Sequence, residues 1–332
     1  MLSEVGTLLI GLGLAAALYA AAATLWGLTH KDDRWLQSGR NATDAVPALT
    51  GGALLLLAIA FLSDRFELAY VAQHASRALP LGLKLSALWA GQEGSLLLWS
   101  FLQALFAALA TRRPAKREVA APEASLSNAL PLPAPETGAR SIEEKTAPNV
   151  TETVRPLIPW ATVFLNGITA FFIAVMLGFS NPFTLSSVVP ADGLGLNPLL
   201  RHAGMIFHPP AMYVGYVGVA VPFAFALAAL VTGRVEGWTA AVRSWALVAW
   251  IGLGLGLLLG MRWAYDVLGW GGYWGWDPVE NAGLMPWLTM TAFLHGAAMQ
   301  DERRGFQGWS FTLIVASFVL VLFGTFATRS GL

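Results

Sequence analysis

A run of aromatic residues set among glycines occupies residues 270–287, WGGYWGWDPVENAGLMPW. Aromatic faces stack on planar apolar ligands, and each indole still offers one N–H donor. Glycines let the backbone lie close to such a ligand. This composition indicates a surface for a large planar molecule with acidic edges, such as haem, although an aromatic belt at a membrane–water boundary also collects tryptophan. The candidate binding residues are Trp263, Trp270, Tyr273, Trp274 and Trp276.

Two carboxylates, Asp277 and Glu280, close this run at the head of an apolar segment. Glu93 occupies the same place at the head of an earlier segment. A carboxylate at a helix N-terminus is stabilised by the helix dipole. The two glutamates therefore indicate either simple helix caps or two acidic helix starts that line one cavity. Both interpretations stay open from the sequence, and we keep Asp277 and Glu280 as candidate ligand-binding residues.

His208 stands directly before Pro209 and Pro210. Proline suits the first position of a helix, and the residue before a proline is biased toward extended backbone. We therefore expect His208 to lie a short rigid step outside a helix that begins at Pro209, with its ring free. Such a histidine is either an axial ligand for iron or an interfacial or capping side chain.

His295 lies fourteen residues beyond Asn281, so a helix would place it about 20 Å into the chain's seventh apolar segment. A histidine at that depth in a membrane is a functional-site hypothesis, the alternative being a hydrogen bond to a neighbouring helix. We expect His30 and His74 to be interfacial. His202 could support a neighbouring group.

The composition indicates a polytopic membrane protein. The chain is 56% hydrophobic and 12% charged, with a mean hydropathy of +0.58, whereas soluble domains carry roughly 25% charged residues. The net charge is zero, so nothing indicates nucleic acid as a partner. The absence of cysteine excludes thiol catalysis and thiolate ligation of haem by this chain. No basic n-region or cleavage site precedes the first apolar segment, so we expect no cleaved signal peptide.

The expected fold is all-α with about eight transmembrane helices and an outward-facing Trp-rich loop. The segments long enough to cross a bilayer are about 5–28, 45–63, 92–111, 157–180, 209–232, 244–261, 281–299 and 308–327. With the N-terminus outside, fourteen Lys and Arg residues fall in cytoplasmic loops and six in outer loops, but seven of the fourteen lie in the single loop 112–156. Basic pairs also flank the third and eighth segments on the inner side, Arg112–Arg113 and Arg303–Arg304. This bias predicts that both ends and the Trp-rich loop face the outside.

Two connecting regions have their own signatures. Apolar residues recur at near-helical spacing among charges in 64–84, which predicts a helix lying in the outer interface. Residues 112–156 are rich in Pro, Ala, Glu and Lys without apolar periodicity, which predicts a disordered cytoplasmic loop. The expected organisation is therefore three helices in 1–111, the loop, and five helices in 157–332.

The stretch 270–287 resembles the tryptophan-rich "WWD" signature of the haem-handling proteins of cytochrome c maturation. Within that group it is most similar to the CcmF/NrfE type of haem lyase subunit. Three further stretches agree with the resemblance: 70–99, 206–218 and 324–332. The resemblance covers most of the chain apart from the region near 112–156.

The resemblance implies that the aromatic run 263–276 with Asp277 and Glu280 holds haem on the outer face. It implies that His208 ligates the iron of this haem, and that His295 ligates a buried b-type haem. In the family, TRSG-type sequence, here 328–331, leads into an outer loop and further spans that supply the partner histidines. Those partners are not within residues 1–332, so each histidine here is expected to be half of a pair.

The implied activity is that of a cytochrome c haem lyase component in the bacterial inner membrane, with its haem platform facing the periplasm. A CcmE-type carrier would deliver haem, and apocytochrome c with a C-x-x-C-H motif would receive it. CcmH- or CcmI-type subunits, quinol and the lipid bilayer complete the implied partners. The protein would orient the reactants and keep iron reduced, and no residue is assigned as catalytic. The alternatives are a haem-delivery protein that forms no bond and a non-haem transporter.

Overall fold

The structure, a computed structural model, describes residues 1–112, 154–302 and 306–329. Ten α-helices are present in these residues, and they confirm the predicted all-α class. In chain order they are α1 Leu2–His30, α2 Asp33–Leu62, α3 Ala69–His74, α4 Leu81–Ser86, α5 Gln92–Ala110, α6 Ile158–Phe179, α7 Gly204–Thr232, α8 Trp238–Val267, α9 Pro278–Glu302 and α10 Gln307–Arg329.

Within the described residues, seven helices are long and apolar enough to cross a membrane: α1, α2, α5, α6, α7, α8 and α10. This confirms the polytopic membrane class. The remaining predicted span, 281–299, forms α9, which is not among the seven because polar residues interrupt its apolar run. Those residues include Thr289, Thr291 and His295.

Helix α9 nevertheless lies antiparallel to α10 along most of its length. Three contacts at seven-residue intervals record this alignment. The Ser317 hydroxyl donates to Thr289 Oγ1 at 2.7 Å, near the middle of both helices. The flanking contacts pair small residues: Ala282 with Gly324, and Gly296 with Ser310. Helix α9 therefore occupies the same depth as a helix that is apolar enough to span a bilayer.

Several helices extend beyond their predicted ends. Helix α2 begins at Asp33 rather than near residue 45, because Asp32 caps it by accepting a hydrogen bond from the Arg34 N–H at 2.9 Å. Helix α8 continues to Val267 rather than 261. Trp263 and Tyr265 consequently lie on the last turns of α8 and not in a loop.

The region 64–84 differs from the single helix expected for it, because it forms two short helices, α3 and α4. The carbonyls at the end of α3 accept hydrogen bonds from a loop far along the chain: Leu194 N–H to Ala72 O at 2.8 Å and Gly195 N–H to Ala75 O at 3.0 Å. Pro80 then precedes α4, which disfavours a continuous helix. The segment is tied to the protein by these bonds.

Side chains of the same region anchor it further. Lys84 is 5% exposed, and its Nζ lies 2.5 Å from Asp64 Oδ1 at the end of α2. The Tyr70 hydroxyl donates to Leu88 O at 3.0 Å and accepts from the Gly91 N–H at 3.0 Å. These bonds fix the approach to α5 and with it the position of Trp89.

Two hydrophobic cores share α5 and α6. The first gathers around α1 and α2, and the second around α7 with α8, α9 and α10. Helices α7 and α8 cross at backbone contact, because a Cβ at Gly252 would lie 2.6 Å from Gly215 N. A Cβ at Gly218 would likewise lie 2.9 Å from the Ala249 Cβ. Small residues permit this approach, which brings the start of α7 against the end of α8.

Most of 112–156, the predicted disordered loop, lies outside the described residues. The division into 1–111 and 157–332 around that loop therefore stays a prediction.

Candidate functional site

His208 lies inside α7, which begins at Gly204. The expectation that His208 precedes the helix is therefore wrong, and Pro209 and Pro210 lie within the helix. Pro209 has no N–H to donate to the carbonyl of Met205 one turn earlier. The Trp89 indole N–H donates to that carbonyl instead, at 2.8 Å. The helix therefore starts before the prolines, and a side chain from another part of the chain supplies the donor that Pro209 lacks.

The His208 imidazole has a defined orientation. Its Nδ1 lies 2.8 Å from Gly256 O, and since a carbonyl only accepts, Nδ1 carries the proton and Nε2 keeps a lone pair. Gly260 permits the close approach, because a Cβ there would lie 2.7 Å from His208 Cε1. The Trp263 ring meets the imidazole edge-on at a centroid distance of 5.5 Å. The ring is thereby fixed with Nε2 available as a ligand.

His208 lines a cavity of about 380 Å³ between α5, α7, α8, α9 and α10. This volume falls in the range of small-molecule sites, about 300–1,000 Å³. The wall is mainly apolar, with leucines and methionines between the aromatic rings. The aromatic and polar lining residues are Trp99, His208, Tyr213, Tyr216, Trp263, Trp274, Asp277, Glu280, Thr325 and Thr328.

Three tryptophans of the cavity wall have buried indole N–H groups without a hydrogen-bond partner among the described residues: Trp99, Trp263 and Trp274. Trp99 is only 3% exposed. Buried donors in proteins are normally paired. These three nitrogens are buried within the wall, so the rings contribute their apolar surface to the cavity.

Asp277 and Glu280 line the cavity, and both also have backbone partners. Asp277 Oδ1 accepts from the Glu280 N–H at 2.6 Å, and Glu280 Oε2 accepts from the Gly275 N–H at 2.7 Å. Asp277 therefore caps the start of α9, and Glu280 ties the preceding loop to the first turn of the helix through Gly275. Glu93 is not among the residues that line the cavity, so the structure does not bring the two acidic helix starts together in it.

The aromatic run does not form one flat surface. Trp263 and Trp274 reach the cavity, whereas Trp276 is 70% exposed and has a positive φ of 57°. Tyr273 stacks on Tyr265 of α8 with centroids 4.5 Å apart. The predicted binding residues that do not line the cavity are Trp270, Tyr273 and Trp276.

His295 lies on an exposed face of α9 and does not line the cavity. Its Nδ1 donates to Thr291 O at 2.8 Å, which leaves Nε2 with a lone pair. The Thr291 hydroxyl oxygen accepts from the Trp250 N–H at 2.7 Å, and Trp250 stacks on Trp287 at 5.7 Å. The histidine therefore stands beside an aromatic pair on the α8–α9 surface.

The other histidines have local partners. His202 Nδ1 accepts from the Gly204 N–H at 3.0 Å, and its Nε2 lies 3.6 Å from Asp266 Oδ2 on α8. His74 Nδ1 donates to Tyr70 O at 2.9 Å. His30 stacks on Trp26 at 3.9 Å. His202 thus joins the start of α7 to the end of α8.

Sequence reasoning missed Trp99 as a wall of this cavity. Trp99 contacts Tyr213 and Tyr216 with ring centroids 5.9 and 6.0 Å apart. It ends the stretch 70–99 that carries part of the family resemblance, and this was the available signal. Thr325 and Thr328 were also missed, although they belong to the stretch 324–332.

Comparisons with known proteins agree with the resemblance. A family model described as "Cytochrome C assembly protein" matches residues 149–332. The cytochrome c-type biogenesis protein CcmF of Pseudomonas aeruginosa is 39% identical over 333 residues, which cover 100% of this chain and 45% of the relative. CcmF of Escherichia coli K12 is 38% identical, with 100% and 46% covered. NrfE of Haemophilus influenzae is 36% identical, with 100% and 47% covered.

A solved structure named cytochrome c heme lyase CcmF is 35% identical to this chain and superposes with a TM-score of 0.76. The match covers 100% of this chain and 48% of that structure. The chain thus spans about half the length of the relatives it matches. Its residues match the family over the helices that form the cavity, and this chain belongs to the CcmF/NrfE cytochrome c assembly family.

Proposed function

We propose that the cavity holds haem as a substrate, with His208 Nε2 ligating the iron from one side, and that the chain serves in a cytochrome c haem lyase. The observation that carries this proposal is the free Nε2 of an oriented imidazole on the wall of an apolar, aromatic cavity. A histidine that ligates haem commonly donates its other N–H to a backbone carbonyl, as His208 does to Gly256.

The cavity wall supports the same ligand. Trp263 and Trp274 offer aromatic faces to a macrocycle, and Trp99 with Tyr213 and Tyr216 closes the deep side. Asp277 and Glu280 hold the Trp-rich loop on α9 and so fix the position of Trp274. Trp270, Tyr273 and Trp276 form the outer surface of that loop, where an incoming protein would make contact.

The reaction in this proposal joins a cysteine thiol of apocytochrome c to a vinyl group of haem. The sulfur bonds to one vinyl carbon and the thiol hydrogen passes to the other, so no electrons are exchanged. The chain orients haem and excludes water from the apolar wall, which accelerates the addition by positioning. A CcmE-type carrier would supply haem, and CcmH- or CcmI-type subunits would present the C-x-x-C-H segment. The relatives' names as cytochrome c biogenesis proteins support these partners.

We propose that His295 would hold a buried b-type haem, which would supply electrons taken from quinol. Its Nε2 lone pair and its place on α9 support the role. The second ligand would come from outside the described residues. We also propose that the cavity faces the periplasm of a bacterial inner membrane, in line with the distribution of Lys and Arg along the sequence.

The test replaces His208 by Ala in the full-length protein and measures holocytochrome c in cells. We expect a severe loss with His208→Ala and a normal level with His30→Ala, an exposed histidine at the far end of α1. Normal cytochrome c in the His208→Ala strain would contradict the ligand role. Loss of the gene should also leave haem-loaded carrier to accumulate. A strain without loaded carrier would instead favour the haem-delivery alternative.

A further inference from the structure

The start of α7 has a gap in its hydrogen bonding directly before His208. Pro209 lacks the N–H that would bond to Met205 O, and Met205 is 3% exposed, so water does not readily reach this carbonyl. A buried backbone carbonyl without a partner destabilises the fold. The Trp89 indole N–H fills this place at 2.8 Å, from a residue 116 positions earlier in the chain.

Trp89 is itself held firmly. It ends a short 3₁₀ turn, Ala87–Trp89, whose carbonyls accept from neighbouring side chains. Tyr70 donates to Leu88 O at 3.0 Å, and the Ser95 hydroxyl donates to Trp89 O at 2.9 Å. The indole donor therefore comes from a fixed backbone and can fix the carbonyl that it contacts.

The hydrogen bond from Trp89 to Met205 O can affect the His208 imidazole through the first turn of α7. Met205 and His208 are three residues apart on α7, so they lie on neighbouring positions of one helical face. A change in the Met205 peptide plane would tilt the first turn and move the His208 ring relative to Gly256 O. We propose that Trp89 is a positioning residue for His208, its indole N–H replacing the backbone donor that Pro209 lacks.

This proposal rests on the proposed function only where it concerns haem. The hydrogen bond and its effect on the first turn of α7 can be measured without any ligand. The position of His208 would then depend on Trp89, which lies outside residues 149–332, the part of the chain that matches the family model.

The decisive experiment is a rescue. Trp89→Phe removes the N–H donor and keeps an aromatic ring, although a smaller one. Pro209→Ala adds a backbone N–H that can bond to Met205 O within the helix. We would compare Trp89→Phe in the wild-type background with Trp89→Phe in the Pro209→Ala background, using the whole chain in detergent. Trp250→Phe is the matched control, because it removes a 2.7 Å indole bond between α8 and α9.

The first readout is amide hydrogen exchange of the peptide that covers the first turns of α7. We expect about tenfold faster exchange in Trp89→Phe, no change in Trp250→Phe, and little effect of Trp89→Phe once Pro209 is Ala. The second readout is the titration of dithionite-reduced haem, followed in the Soret band. Affinity should fall by several fold in Trp89→Phe, and the Pro209→Ala background should abolish that fall.

An equal effect of Trp89→Phe in both backgrounds would show that the ring packs and does not position through its N–H, and would overturn the proposal. The same holds if exchange in α7 does not change. If the wild-type chain with its full partner half binds no haem while the exchange pattern is as expected, the proposed function fails and the positioning role stands.

Discussion

Gly260 offers a direct test of how the His208 ring is held. In Gly260→Ala the new Cβ would lie 2.7 Å from His208 Cε1 and 3.0 Å from Nδ1. Ordinary contact begins at 3.4 Å, so the imidazole must move by about 0.7 Å, the difference between 3.4 and 2.7. Such a shift breaks the 2.8 Å bond to Gly256 O. Haem binding must return the displaced ring to its ligating position against this overlap, which costs about 2 kcal/mol, or roughly 30-fold in haem affinity.

The assay is a titration of reduced haem into the purified protein, with a thermal melt of the haem-free protein run in parallel. Gly167→Ala on α6 is the matched control, since a Cβ there meets nothing within 4 Å. In a His208→Ala background the Gly260→Ala change should have little further effect, because the two residues act through one contact. Wild-type affinity in Gly260→Ala, or a full additional loss in the double variant, would refute the reasoning.

Two other predictions separate roles within the Trp-rich loop. Trp274→Ala should weaken haem binding by about 1 kcal/mol or more, and Trp276→Ala by less, because Trp274 lines the cavity while Trp276 is 70% exposed. Equal losses of affinity in the same titration would contradict a distinct role for Trp274 in the cavity wall. Asp277→Asn should preserve the order of the loop, because Asn caps a helix as well as Asp does, and Asp277→Ala should destabilise the loop by about 1 kcal/mol. Limited proteolysis of 268–277 measures this order. Equal sensitivity of both variants would show that the negative charge of Asp277 matters and that the cap does not.

The class of fold could be predicted from the sequence, because an apolar segment long enough to cross a bilayer is recognisable as a transmembrane helix. All eight predicted segments form helices. The ends were less predictable, since they depend on caps such as Asp32 and on helices like α8 that continue past the apolar core.

The features of the candidate site that depend on neighbouring residues in the sequence could be predicted. The sequence offered Glu280 as a helix cap at the start of this segment, and the structure shows that the cap is its neighbour Asp277, which accepts from the Glu280 N–H. The position of His208 was not predictable, because α7 continues through Pro209 and the donor that Pro209 lacks is replaced by Trp89, which is distant in sequence. The rings that turn into the cavity, Trp263 and Trp274, likewise depend on the path of the loop in three dimensions.

The alignment of α9 with α10 has a consequence for how this protein enters a membrane. Helix α9 is less apolar than the seven helices that are apolar enough to cross a membrane, and its Thr289 Oγ1 accepts a hydrogen bond from Ser317 on the following helix. The two segments should therefore integrate as a hairpin, with α9 retained at the translocation machinery until α10 has been synthesised. Assembly of the cavity wall would then be among the last steps in the biogenesis of the part described here.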